Sequence, residues 1–479
     1  MKTIRISLAA VLLILTGCAV GPNYRRPSLD VPPSYWDPAV ETNVSLGAAS
    51  FADLTWWEVY QDEQLAAYIR DALTNNYDMK IAAARVLQAL AVAHVARSEF
   101  FPTINAGADI YTSRTSENGP TPIPAGVDPE RGFGDVFASM PAYEVDLWGR
   151  IRRANEAARA RLLATEDAQQ VVRQTLVAEV ARAYLELLEL DLELNISESS
   201  YASRSNSLVL TISRAEGGVA AQQDVEQAYI LVYGAGAVII DVHRRIEQKE
   251  NELNILLGQN PGPVKRGVPL VDWTTRTEVP AGLPSSLIER RPDIRAAEEQ
   301  LRAANADIGQ AKAAFFPQVT LTGFYGYQSV ALSDLITGAS RTWQFGPAVT
   351  FPLFTGGRLQ ANLAFARARF DEALANYRQT VQRAFAEVSD ALIAYQRTRE
   401  FRVAQENRTQ AHRNATDLAS IRYEGGVTSY LEYLYNEQEL LTAELNLAQA
   451  RRNELVSVVQ LYRALGGGWQ IADKATVKK

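Results

Sequence analysis

Two stretches of this chain, Arg150–Glu216 and Arg358–Glu424, each run 67 residues without a glycine or a proline. The chain holds 29 Gly and 20 Pro, so about seven would be expected in a window of that length. Ala, Arg, Glu, Gln and Leu dominate both stretches, and all are strong helix formers. In the second stretch Phe370, Leu374, Tyr377, Val381, Phe385, Val388, Leu392 and Tyr395 recur at a mean spacing of about 3.6, one apolar stripe on one helix. The first keeps that stripe less strictly, through Val177, Val180, Tyr184 and Leu187. At the rise of an α-helix each would reach roughly 100 Å. No compact globular domain needs a rod of that length.

The two stretches belong to a duplication. Ala96–Pro102 (ARSEFFP) returns as Ala311–Pro317 (AKAAFFP). Glu216-Gly217-Gly218-Val219 matches Glu424-Gly425-Gly426-Val427, and Leu257-Gly258 matches Leu465-Gly466. From Gly149 to Gly258 the offset between the copies stays constant. Two further helices per copy are expected. Residues 221–257 and 429–465 would each span roughly 55 Å, and 79–101 and 294–316 roughly 35 Å. Together they nearly equal the long helix, so each long helix can be flanked by two shorter ones stacked end to end. The Gly-Gly pairs then fall where the long helices stop, as glycine commonly does.

Between each FFP and its long helix lie two candidate strands, about 103–112 and 136–147 in the first copy and about 318–328 and 342–353 in the second. In the last of these Trp343, Phe345, Val349 and Phe351 alternate with Gln344, Gly346, Ala348 and Thr350. Lengths of about ten residues with one apolar face fit strands of a membrane barrel, and Trp148 and Phe354 end the return strands where an interfacial aromatic would anchor. The same alternation also fits a soluble hairpin. Four strands cannot close a barrel, and lipid does not tolerate open edges. Closure therefore requires an oligomer, and two chains or three would both satisfy the arithmetic.

Composition narrows the function. A formal charge of −7, from 48 basic and 55 acidic residues, argues against nucleic acid as partner. One cysteine cannot form an internal disulfide, and three histidines (His94, His243 and His412) cannot make a rich metal site. No Walker loop, Gly-x-Ser-x-Gly or His-Glu-x-x-His is present, and Gly234-Ala235-Gly236 lacks the rest of a dinucleotide fingerprint. No enzyme and no cofactor is expected. The longest later apolar run, Ile230–Ile240, is too short to span a bilayer as a helix.

The start of the chain reads as a signal segment: Lys2 and Arg5, then an apolar run from Ile6 to Leu15, then Leu15-Thr16-Gly17-Cys18. This exit resembles the bacterial lipobox, which implies a diacylglycerol and an N-acyl chain on Cys18, and Ala19 after it looks like an outer-membrane address. The expected organisation is a signal peptide (1–17), a lipidated extended arm (18–58), a first repeat (59–260), a second repeat (261–469) and a tail (470–479).

The Gly-Gly turns are at least helix–helix turns, and they offer exposed tips for a partner at Gly217, Gly218, Val219, Tyr423, Gly425, Gly426 and Val427. Just beyond the second turn Leu431, Tyr435 and Gln438 share a helix face, with Glu432 beside them and Asp224 at the position of Glu432 in the first copy. Repeated around an axis, such side chains form rings that narrow a pore.

These features resemble the outer-membrane efflux protein family, the TolC-like channels, and its lipoprotein branch. The resemblance runs from Cys18 to Trp469. It is carried by Gly17-Cys18-Ala19-Val20-Gly21-Pro22-Asn23-Tyr24-Arg25-Arg26-Pro27, by Trp56-Trp57, and by the long run from Gly282 to Glu298 (GLPSSLIERRPDIRAAE). Leu353-Phe354-Thr355-Gly356-Gly357-Arg358 and Leu465-Gly466-Gly467-Gly468-Trp469 add to it. The resemblance implies a mainly α fold with β: very long helices in a periplasmic helical barrel, and four strands per chain in a twelve-stranded outer-membrane barrel of a homotrimer. It implies a passive duct driven by an inner-membrane pump through a periplasmic adaptor that opens the tips. Two departures stand out. Tyr435 replaces an acidic ring common in related lipoprotein channels, so closure would rest on aromatic packing with Leu431 and on Glu432 and Glu437 for charge. Ala215 replaces the usual aromatic of the first turn. A structural envelope lipoprotein without a lumen is the competing reading, and the exported substrate stays open among drugs, metal ions, siderophores and peptides.

Overall fold

The computed structural model describes residues 19–33, 35, 51, 59, 62–120, 123–273 and 284–467. Cys18, Trp56, Trp57 and Trp469 lie outside the described residues. The first repeat gives α1 (Glu63–Asn75), α2 (Tyr77–Ser98), β1 (Asn105–Arg114), β2 (Glu130–Val145), α3 (Arg150–Glu216) and α4 (Gln222–Leu256). The second gives α5 (Pro284–Arg290), α6 (Pro292–Ala313), β3 (Gln318–Ser329), β4 (Arg341–Thr350), α7 (Arg358–Glu424) and α8 (Tyr430–Ala464). Corresponding helices match in length: 67 residues for α3 and α7, 35 for α4 and α8, 22 for α2 and α6.

Packing divides the chain differently from the repeats. One compact unit holds residues 1–28, 87–165 and 297–377; the other holds 29–86, 166–296 and 378–479. Each unit draws on both copies, so the repeats are units of sequence and not of packing.

In the first unit the four strands form one antiparallel meander, β1-β2-β3-β4. Ile110 faces Gly134 and Thr112 faces Gly132, so pairing with β1 carries β2 back to Glu130, six residues earlier than the sequence pattern places it. The register between β2 and β3 slips between Met140 and Tyr143, where Pro141 has no N–H for the ladder. Two aromatic rings cover glycines on the neighbouring strand: Phe137 over Gly107, and Phe345 over Gly323. At the base of the sheet Trp148 stacks on Phe316, centroids 4.8 Å apart, and donates its indole N–H to the Pro317 carbonyl at 2.8 Å. Beneath it α3 and α6 touch through Ala157, Ala160, Ala303 and Ala306.

Residues 19–26 strap this unit. Val20 donates its N–H to the Trp148 carbonyl at 2.9 Å, and Gly21 crosses Gly309 backbone to backbone. Asn23 accepts from Arg153 at 2.7 Å, and the Pro22 carbonyl accepts from Asn305 at 3.0 Å. Buried Glu298 accepts from Tyr24 at 3.1 Å and from both ends of the Arg26 guanidinium, at 2.9 and 2.7 Å. The strap thus runs antiparallel along α6.

In the second unit the apolar stripe of α3 is fully packed: Val177, Val180, Tyr184 and Leu187 are buried. The Tyr184 hydroxyl accepts from the Gly267 N–H at 2.7 Å, and the Tyr68 hydroxyl donates to the Lys265 carbonyl at 2.9 Å, fixing the segment after α4. The last carbonyls of α8 find side-chain donors, from Gln174 to Arg463 (2.7 Å) and from Arg291 to Ala464 (3.2 Å), which answers the unpaired carbonyls of a helix end. Arg291 also pairs with Glu387 at 2.7 Å.

Candidate functional site

α3 and α7 end in the same way. Gly218 and Gly426 take φ of +75° and +72°, a backbone conformation that favours glycine. The N–H of Val219 bonds the Arg214 carbonyl at 2.8 Å and that of Gly218 the Ala215 carbonyl at 3.0 Å; Val427 to Arg422 and Gly426 to Tyr423 repeat both distances. This two-bond cap closes the helix and turns the chain sharply. Gly217, Gly218, Val219, Gly425, Gly426 and Val427 are all exposed at the turns.

Tyr423 is not. The sequence places it among the tip residues open to a partner, but its side chain is only 7% exposed. Its ring stacks on Tyr433, centroids 5.8 Å apart with planes 9° from parallel, and lies 5.3 Å from Tyr430. The Arg214 guanidinium sits 4.5 Å from the ring centroid and donates to the Tyr423 carbonyl at 3.0 Å. One aromatic from the second turn therefore serves both hairpins, with Arg214 gripping it from the end of α3. With Ala228, Ala419 and Leu434 these tyrosines make a compact apolar cluster.

The start of α8 is two-faced. Tyr430, Tyr433, Leu434 and Glu437 turn inward; Leu431, Glu432, Tyr435 and Gln438 turn outward. Leu431 and Tyr435 are each 66% exposed. Glu432 anchors the first turn: its N–H bonds the Ser429 hydroxyl at 3.4 Å, and its carboxylate accepts from the Thr428 hydroxyl. Asp224 does the same for α4, accepting the Ala221 N–H at 3.2 Å. Carboxylates are favourable at both places because the helix N-terminus is positive. Gln438 accepts from Arg204 of α3 at 2.8 Å, and Arg204 donates again to the Leu231 carbonyl at 3.4 Å.

Glu437 corrects a second expectation. The resemblance sets it near Tyr435 as charge for the closure, but it is 7% exposed and accepts from Ser203 at 2.8 Å. Burial pushes its carboxyl above the ordinary glutamate range, opposed by the Ser203 hydrogen bond and by Arg204. Ser203, Arg204 and Ser207, whose hydroxyl lies 3.1 Å from that of Tyr433, were invisible as site residues in the sequence. Their only signal is helical spacing along the last turns of α3, which looks like any polar face.

On the sheet Ile110, Trp343, Phe345 and Val349 are exposed large apolar side chains, and β1 and β4 leave their outer ladders unpaired. Such a surface and such edges suit lipid and a neighbouring strand, not water.

A sheet of this kind joined to 67-residue helices with glycine-capped turns defines a channel-forming protein of the outer membrane. The chain belongs to the outer membrane efflux protein family, whose model matches residues 68–259 and 283–467, one segment in each repeat. It is 36% identical over 475 residues to the outer membrane protein OprJ of Pseudomonas aeruginosa, covering 97% of this chain and 96% of that one. It is 36% identical over 467 residues to the toluene efflux pump outer membrane protein TtgC of Pseudomonas putida, covering 97% and 95%. Among solved structures, a membrane protein from Pseudomonas aeruginosa superposes with a TM-score of 0.85 at 35% identity, covering 94% of this chain and 100% of that one. The fold class is mainly helical, with a periplasmic helical barrel and four strands per chain that contribute to an outer-membrane barrel. The chain is an outer-membrane efflux channel, and a lumen-free structural lipoprotein is not favoured.

Proposed function

We propose that three copies close one twelve-stranded barrel and one helical tunnel, and that the channel is a passive duct with no catalytic step of its own. An inner-membrane pump supplies the energy, and a periplasmic adaptor engages the turns at Gly217–Val219 and Gly425–Val427. Cys18 carries the lipid anchor, and residues 19–26, which follow it, fasten to the base of the sheet. Small organic molecules are the proposed cargo, in keeping with the toluene efflux of the Pseudomonas putida relative.

The observation that carries this reading is the outward face of α8. Leu431 and Tyr435 stand one turn apart and largely uncovered, while their neighbours Tyr430, Tyr433 and Leu434 are packed. Rings of three leucines and three tyrosines would close the tunnel by apolar contact, with Gln438 held at the next turn by Arg204 and with Glu432 and Asp224 fixing the ends of the two helices. Engagement of the turns would separate the rings. Leu431→Ala with Tyr435→Ala should raise single-channel conductance of the purified oligomer in planar bilayers severalfold. Unchanged conductance would remove these two as the constriction, and a non-conducting oligomer of both proteins would remove the duct itself.

A further inference from the structure

α3, α4 and α8 line an open cleft of about 350 Å³ that the duct reading does not use. Glu186, Glu189, Arg245, Lys249, Glu252 and Arg452 line it. Most of their charges are matched. Lys249 lies 2.9 Å from Glu186 and 2.6 Å from Glu252, and Arg245 holds Glu193 at 2.7 Å. Arg452 points its guanidinium toward Glu186, at 3.8 Å.

Glu189 is the exception. It lines the cavity, is only 5% exposed, and among the described residues makes no hydrogen bond or ion pair. Burial pushes its carboxyl above the usual range, with Arg452 and Arg245 opposing and Glu193 and Glu186 reinforcing. Among the described residues Nε of Arg452, on the cavity wall, is buried without a hydrogen-bond partner, as is Oε2 of Glu193, the residue that pairs with Arg245. A carboxylate held in this way is expensive unless a cation meets it. One free carboxylate supplies too few oxygens for a hard divalent ion, which takes six or more. An ammonium group needs less: one carboxylate and neutral acceptors, and the amide of Gln449 lines the same space, beside that of Gln248, whose oxygen already accepts from Arg244 at 2.8 Å. Leu190 offers an apolar wall for a short hydrocarbon stem.

We propose that this cavity binds a small aliphatic amine, with Glu189 as the counter-ion of its ammonium group. The site is built from one chain and is independent of the closure at Leu431 and Tyr435. The test is calorimetric titration and thermal unfolding of the intact oligomer with putrescine, using butanediol as the uncharged control at matched ionic strength. The native protein should bind putrescine saturably and melt higher with it, and butanediol should do neither. Affinity should fall as the pH drops into the range where Glu189 protonates. Glu189→Gln should melt no lower than the native protein yet bind putrescine at least tenfold more weakly. Arg452→Gln removes the opposing cation and should tighten binding severalfold. No saturable binding by the native protein, or equal affinity in the two variants and the parent, would overturn the site.

Discussion

Glu437 sits where a carboxylate is least welcome, among Tyr433, Ser203 and Arg204 with one oxygen unpartnered. Its acid is weakened in the fold because burial disfavours the charged form more than Ser203 and Arg204 restore it. The neutral form is thus preferred by the packed hairpins. The stability it contributes is complete below the unfolded glutamate value and is lost as pH rises through the higher folded value. The start of α8 should therefore tighten as pH falls from neutral toward that window. Hydrogen exchange across Tyr430–Leu440 should show protection rising with acidity in the native protein, and Glu437→Gln should hold the protected level at every pH. Equal pH dependence in both proteins would dismiss Glu437 as the titrating group. Neither Glu437 nor Tyr423 was legible as an inward residue, and for one reason. Helical spacing shows which side chains share a face, but the direction of that face depends on α3, whose contacting residues lie some two hundred positions away.

At the scale of elements, ends were easier to read than contents. α3 and α7 begin and stop where the runs free of glycine and proline begin and stop, because those residues act on the backbone locally. β2 shows the opposite. Glu130–Gly134 reads as a turn in isolation, yet Asn105–Arg114 supplies a ladder that absorbs both glycines. The glycines of the sheet also act through their partners. A Cβ on Gly323 would collide with the Phe345 ring, whereas one on Gly346 meets nothing within 4 Å. Gly323→Val should cost about 1–3 kcal/mol by displacing that ring, lowering the temperature at which the oligomer dissociates in detergent. Gly346→Ala in the same hairpin should leave it nearly unchanged. A similar loss in both would show that the ring is not the cause, since trading glycine for a Cβ restricts the unfolded chain and by itself stabilises.

For the whole molecule, the duplication was plain from sequence and its packing was not. A constant offset says that two segments are alike, not that they touch, and both compact units turn out to mix the copies. The proposed anchor belongs at this scale, since the strap ties the chain's start to both repeats through Trp148, Arg153 and Glu298. Those bonds do not need a lipid. Cys18→Ala should abolish palmitate labelling while the purified oligomer keeps its conductance; persistent labelling would place the acyl chain elsewhere.

The sheet has a property that reaches beyond one chain. Its strand number is even, so β1 and β4 run in opposite directions. A second copy in the same orientation can then present its β1 to this β4 and continue the antiparallel alternation unbroken. With an odd number the next copy would have to pair in parallel or turn upside down. Parity alone therefore permits a ring in which every copy is equivalent and points the same way. That is the condition the proposed closure needs, since its leucine and tyrosine rings form only where equivalent copies bring Leu431 and Tyr435 to one level.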